Sequence, residues 1–427
     1  MTGDMTGHMK GDMTMAPPLP QPPLPTRRFG RTELAMPVLS LGGMRFQQSW
    51  TDLPAAEITA DRQEQLAALL SAATAAGLHH LETARYYGTS ERQLGWLLNG
   101  RPDPARILQT KVPPKADPAA FEAELACSFE RLAIDAADGP GRLDLLALHG
   151  VNTAELLEQS LRPGGCLEVA ERWRSDGRIG HIGFSTHAPL PVILEAIASD
   201  RFDYINLHWY YIRQDNSPAL VAARDHDMGV FVISPTDKGG HLHTPSARLV
   251  ELCSPLHPIV VNDLFCLSHP AIHTLSVGAA RPEDLERHLE AVALLPQAEV
   301  LLPPILARLE QARHGALGSA WLNSWHQGLP EWEATPGGIN LPQLLWLHNL
   351  LEAWDLEGYA RARYGLLGNG DHWFPGANAD SLDATVSEAD LLEVLQASPW
   401  AREIPAILRA LRQRLGNAPQ RRLQVDP

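Results

Sequence analysis

Residues 81–95 place a carboxylate, Glu82, and a phenol, Tyr87, between the end of a short apolar run and the start of a helical pattern. Loops that follow strands are where α/β proteins gather reactive groups. Two more such groups end apolar runs in the same way: Lys111 closes 107–111 and His149 closes 143–149. A carboxylate, a phenol, an amine and an imidazole brought into one pocket can move a proton onto a carbonyl oxygen. Tyrosine has an ordinary pKa of about 10 and is a poor acid near neutrality; an adjacent ammonium, supplied by Lys111, favours the phenolate and lowers that value. Glu82 is expected to keep Lys111 charged and oriented, and His149 to hydrogen-bond the substrate oxygen. No side chain donates a hydride, so this set requires a cofactor. Singly, each residue also fits a structural role: a buried loop tyrosine, a solvated lysine, a core histidine. Their joint placement carries the chemical reading.

Convergence demands a fold whose strand ends share one mouth. Apolar runs over 36–43, 79–82, 107–111, 143–149, 181–185, 204–207, 230–234 and 274–277 read as strands. Between them, helical spacing is predicted over 60–76, 91–98, 119–132, 167–176, 191–198, 219–227, near 262–267 and over 282–295, with Ser90 as the N-cap of the second helix. Eight alternating pairs in about 260 residues predict a (β/α)8 TIM barrel of the α/β class. The rival doubly wound sheet lacks its fingerprint, since no Gly-x-Gly-x-x-Gly follows the first strand.

A net charge of −15 argues against nucleic acid or an anionic membrane as the main partner. The four cysteines, Cys127, Cys166, Cys253 and Cys266, are widely spaced, with no metal or disulfide pattern. With no extended apolar run and no signal-type segment at the N-terminus, a soluble cytoplasmic protein is expected. Residues 1–26 are Met/Thr/Gly-rich and then Pro-rich, and are expected to be a disordered leader. The barrel is assigned to 27–298 and a helical domain to 299–427.

The run Leu-Glu-Thr-Ala-Arg-Tyr-Tyr-Gly-Thr-Ser-Glu-Arg-Gln-Leu-Gly at 81–95 resembles the Asp-Thr-Ala-x-x-Tyr-Gly-x-Ser-Glu-x-x-Leu-Gly signature of aldo-keto reductases. Residues 109–112, 144–150, 177–187 and 229–240 are similar to further segments of that family, in order. The resemblance implies NAD(P)H-dependent reduction of an aldehyde or ketone, with Tyr87 as general acid, Lys111 as its partner, His149 orienting the small-molecule carbonyl substrate, and Glu82 standing where the family has aspartate. It also implies that Gly43 and Met44 bind the cofactor, and that Ser185 and Thr186, with Asn206 in place of the usual glutamine, meet the nicotinamide amide. Tyr211 or Trp209 would stack on its ring, and Ser234, Lys238, Gly239 and Gly240 would line the pyrophosphate.

Gly278, Arg281 and His288 fall in the segment that resembles the family's adenosine site. There Gly278, Ala279 and Asp284 replace a Lys, Ser and Arg that grip a 2′-phosphate. The resemblance favours NADP(H) over NAD(H), while those replacements keep NADH open. A catalytically weak NAD(P)H-binding sensor or regulatory subunit is the alternative, and the sequence sets no oligomeric state.

Beyond the barrel, residues 303–317, 344–364 and 391–415 have helical spacing. Residues 336–342 and the helix after them resemble the ferredoxin-like extension of one aldo-keto reductase branch. Trp332 and Thr335 stand where two cluster cysteines would be, and no cysteine follows Cys266. A cluster needs thiolates, so no iron–sulfur cluster is expected. Metal ligands are not signalled elsewhere. Residues 372–374 look like a fixed loop, for which a plain packing role is expected ahead of a cap over the barrel mouth.

Overall fold

The computed structural model describes residues 24–101, 103–137 and 139–416. An antiparallel hairpin of β1 (Thr26–Arg28) and β2 (Ala35–Pro37) opens it. Eight parallel strands then close a barrel: β3 (Leu39–Gly42), β4 (His80–Glu82), β5 (Ile107–Val112), β6 (Leu143–Leu148), β7 (Ile179–Ser185), β8 (Tyr204–Leu207), β9 (Gly229–Val232) and β10 (Thr274–Gly278), with β10 beside β3. This is the expected (β/α)8 barrel with a helical C-terminal region. The stretch read as one strand over 36–43 is two, because Met36 pairs back to Arg27 while Leu39 pairs to Leu275.

Nearly every strand residue is buried, since helices cover the outside and side chains fill the inside. The interior floor is formed by Phe29, Met36, Leu145, Tyr204 and Phe231. Above it His80 bonds Ser40 Oγ at 2.6 Å, and burial pushes its pKa down to about 3, which keeps the imidazole neutral.

Two barrel helices lie outside the spans that helical spacing predicts. Ala154–Leu161 is short, capped by the Thr153 hydroxyl and stopped by Pro163 and two glycines; Ala247–Cys253 is capped by Ser246. In the C-terminal region the stretch over 344–364 is two helices, Leu341–Trp354 and Glu357–Leu366, because Asp355 takes a left-handed φ of 53°. The stretch over 391–415 likewise divides into Glu388–Val394 and Ile404–Leu415. Helix Ala298–Leu317 starts upstream of the predicted 303 and carries Pro303 and Pro304 inside it.

One hydrophobic cluster joins Leu249, Val260 and Leu264 of the barrel helices to Leu302, Leu344 and Leu408 beyond residue 298. The helical run Pro282–Leu317 is long and apolar enough to cross a membrane by length and composition. Its Ala298, Leu302, Ile305 and Leu309 are buried in this shared core. At the other end, residues 1–23 of the expected leader lie outside the described residues, whereas Leu24 is buried and Thr26 is already in β1.

Candidate active site

The chemistry collects where β4, β5 and β6 end. Lys111, penultimate in β5, points into the barrel mouth with 1% of its side chain exposed. An ammonium has three protons, and three acceptors face this one: Thr83 O at 2.8 Å, Tyr87 Oη at 3.2 Å and a close ion pair to Glu82 Oε1. Burial pushes the Lys111 pKa well below the ordinary lysine range, so the amine depends on these partners to stay charged. The longer Glu82 chain still reaches the lysine, and Gly42 leaves it room: a Cβ there would lie 3.3 Å from Glu82 Oε2.

The segment that delivers Tyr87 is held at several points. Arg85 N–H donates to Lys111 O at 2.9 Å and Tyr87 N–H to Ala84 O at 3.0 Å. The Arg85 guanidinium reaches Asp52, buried Glu91 and Glu124 at 2.7, 3.2 and 3.1 Å. Ser90 is the first helical residue and not the N-cap. Its hydroxyl donates to Gly43 O at 2.9 Å and lies 2.7 Å from Thr83 Oγ1, so it ties β3 to β4.

The Tyr87 ring has Lys111 over its face at 4.5 Å and meets His149 and Trp50 edge-on at 5.8 and 6.2 Å. His149 is held by its N–H to Val112 O at 2.8 Å. Its ring faces Trp373 at 5.6 Å, and Trp373 meets His187 at 4.7 Å. The loop bearing Trp373 therefore lies across the barrel mouth. It is pinned by Gly368 N–H to Gly376 O at 2.6 Å and by Asn340 Nδ2 to Pro375 O at 3.0 Å.

Gly150 makes room for that indole. Its φ is +74°, and an added Cβ would sit 2.4 Å from the Trp373 ring. Gly150→Ala is therefore expected to lose about 1–3 kcal/mol from left-handed strain and the clash together. Urea denaturation of Gly150→Ala with and without Trp373→Ala checks this: the steric share should disappear in the double variant and the backbone share remain.

The expected cofactor residues fall into three groups. Ser185 Oγ accepts from Gly150 N–H at 3.0 Å, and Thr186 Oγ1 donates to Val151 O at 2.8 Å. Between them and β9, both amide atoms of buried Asn206 have no hydrogen-bond partner. In the 234–240 loop, Ser234 has φ +54° and Gly239 cannot take a side chain, its Cβ falling 1.9 Å from Pro235 O. Lys238 Nζ lies 3.3 Å from His208 Nε2 and 3.4 Å from His187 Nδ1.

Gly43 N–H donates to Glu82 O at 2.6 Å, and Met44 follows in the same turn. Gly278 O faces Arg45 Nη1 at 3.5 Å. Arg281 is exposed, whereas His288 is fully buried and bonded to Asp263 at 2.5 Å. Trp209 and Tyr211 are committed to packing, Trp209 stacked on Phe265 at 4.8 Å and Tyr211 donating to Glu310 at 2.9 Å. Trp50, Thr83 and Arg85 were missed because their roles depend on contacts across loops. The paired His187 and His208, one after β7 and one after β8, were missed for the same reason.

Comparison with known proteins adds a family. The model described as the aldo/keto reductase family matches residues 38–248. The solved holo form of an aldo-keto reductase from Bacillus halodurans is 19% identical, covers 67% of this chain and 96% of its own, and superposes with a TM-score of 0.53. The apo form of the same protein, also 19% identical, covers 66% and 97% with a TM-score of 0.50. A structure from Pseudomonas aeruginosa is 22% identical over 64% of this chain and 95% of its own, with a TM-score of 0.49. No curated protein matches. The matched span contains Glu82, Tyr87, Lys111 and His149, and residues 38–248 of this chain are an aldo/keto reductase domain, which supports an NAD(P)H-dependent oxidoreductase of carbonyl compounds.

Proposed function

We propose that the protein reduces an aldehyde or ketone to an alcohol, with Tyr87 as proton donor. The observation that carries this reading is the placement of Lys111 Nζ against Tyr87 Oη at 3.2 Å while Glu82 holds the same ammonium. As the phenol releases its proton, the ammonium stabilises the phenolate left behind. Glu82 balances the buried charge, and His149, edge-on to the tyrosine ring, directs the carbonyl oxygen. The nicotinamide cofactor supplies the hydride.

The residues present fit that cofactor. Asn206 offers a buried, unpartnered amide able to pair with a carboxamide, beside Ser185 on the neighbouring strand. The tight 234–240 turn suits close approach of a pyrophosphate. We further propose NADP(H) over NAD(H). Arg45 and Arg281 supply cations near Gly278, while the Asp284 carboxylate is turned inward onto Ala280 N–H at 2.8 Å and Arg281 N–H at 3.3 Å.

Two measurements test this. NADPH oxidation with a panel of aldehydes and ketones should show turnover, and fluorescence titration should show tighter binding of NADPH than NADH. Tight binding with no turnover of any carbonyl supports the sensor alternative. Equal or tighter NADH binding overturns the NADP(H) preference.

A further inference from the structure

We infer that the cavity between the barrel mouth and the C-terminal domain holds the substrate's body, and that this body is aromatic and carries an anionic group such as a carboxylate; the inference rests on the reductase reading above. The cavity measures about 650 Å³, within the ~300–1,000 Å³ typical of small-molecule sites. His187, His208 and Lys238 face it from the barrel, and Trp332, Tyr359 and Trp373 from the C-terminal domain. Trp373 is the shared wall, because the same indole lies against His149 and Gly150. His149 and Tyr87 do not line the cavity, so a substrate body held there reaches past the edge of the Trp373 indole to present its carbonyl to them.

Its chemistry is divided by depth. The acids that line it, Asp215, Glu331 and Glu333, are exposed at the rim. The cations lie deeper: Lys238 is partly buried, and Arg363 is only 13% exposed, stacked over the Tyr359 ring at 4.9 Å. Arg213 lies between, 3.4 Å from Asp215. Arg363 also meets Asp237, half exposed and outside the lining, at 2.9 Å. His208 stays neutral, held so by burial and then by Lys238, and Lys238 belongs to the turn proposed for the pyrophosphate, so the deep cation left for the substrate is Arg363. Charge in a partly desolvated pocket attracts an anion far more than the same charge in water, and a guanidinium adds directional donors. Three aromatic walls receive a planar body.

The test compares 4-carboxybenzaldehyde with benzaldehyde in wild type, Arg363→Met and Arg363→Lys. Wild type should favour the carboxylated aldehyde by about tenfold in kcat/KM, through KM. Arg363→Met should lose most of that ratio, and Arg363→Lys should recover part of it. A change in overall stability alone moves both substrates together and leaves the ratio intact. Calorimetric titration with 4-carboxybenzaldehyde separates the site from the chemistry. Saturable binding that weakens in Arg363→Met without any turnover upholds the cavity assignment and sets aside the reductase reading. Equal KM for the two aldehydes, or binding absent or unchanged in Arg363→Met, overturns the cavity assignment, and turnover in that case leaves the reductase reading standing.

Discussion

Tyr87→Phe should lower kcat by about 10²–10⁴-fold while leaving dinucleotide affinity within a factor of about two. Phenylalanine keeps the ring that meets His149 and Trp50 and that lies under the Lys111 ammonium, and removes only the hydroxyl. The loss should therefore appear in the chemical step and not in thermal stability. Single-turnover NADPH oxidation beside a fluorescence titration of the same sample separates the two. Residual turnover near the wild-type rate would mean that the proton comes from another group.

Lys111→Met should be the most destabilising single change at the site, and it should abolish activity as well. With 4% of its side chain exposed, Glu82 would keep a carboxylate in the barrel with no counter-ion. Breaking a buried pair by removing one partner costs about 3–5 kcal/mol. Adding Glu82→Gln should recover much of that stability without restoring turnover, which urea denaturation and NADPH oxidation would show together.

The same pair sets a pH dependence. Burial depresses the Lys111 pKa, and the ammonium is the form that assists Tyr87. Activity should therefore be present below that pKa and be lost as pH rises through it, at a pH under the ordinary lysine value of about 10.4. Glu82→Gln removes the charge that favours the ammonium and should move the alkaline limb of kcat/KM to lower pH. An unmoved limb would show that a different group titrates there.

The barrel was legible because a buried parallel strand is a short apolar run and the covering helices repeat with their own period; both signals are local. Three of the proposed catalytic residues, Glu82, Lys111 and His149, were legible for the same reason, each ending such a run, and Tyr87 by its place between one such run and the next helix. Residues acting across loops were not. Arg85 is positioned by Asp52 and Glu124, 33 and 39 positions away, and Trp50 meets Tyr87 from a loop with no periodic pattern. The resemblance located His288 in the adenosine segment. Its burial against Asp263, a residue of helix Pro258–Ser268, had no trace in the local pattern. At 372–374 the sequence favours a plain packing loop over a cap, and the reason for glycine at 150, the indole of Trp373 pressed against it, leaves no local trace.

That indole also fixes when the site is finished during synthesis. Glu82, Tyr87, Lys111 and His149 leave the ribosome more than two hundred residues before Trp373 does. A nascent barrel can close its strands and pair its buried ions while its mouth still stands open to water on the side of His149. Competence for selective chemistry arrives late, when the downstream helices dock and carry residues 368–376 into place. The order of translation thus separates assembly of the proposed proton donor from assembly of the wall beside it.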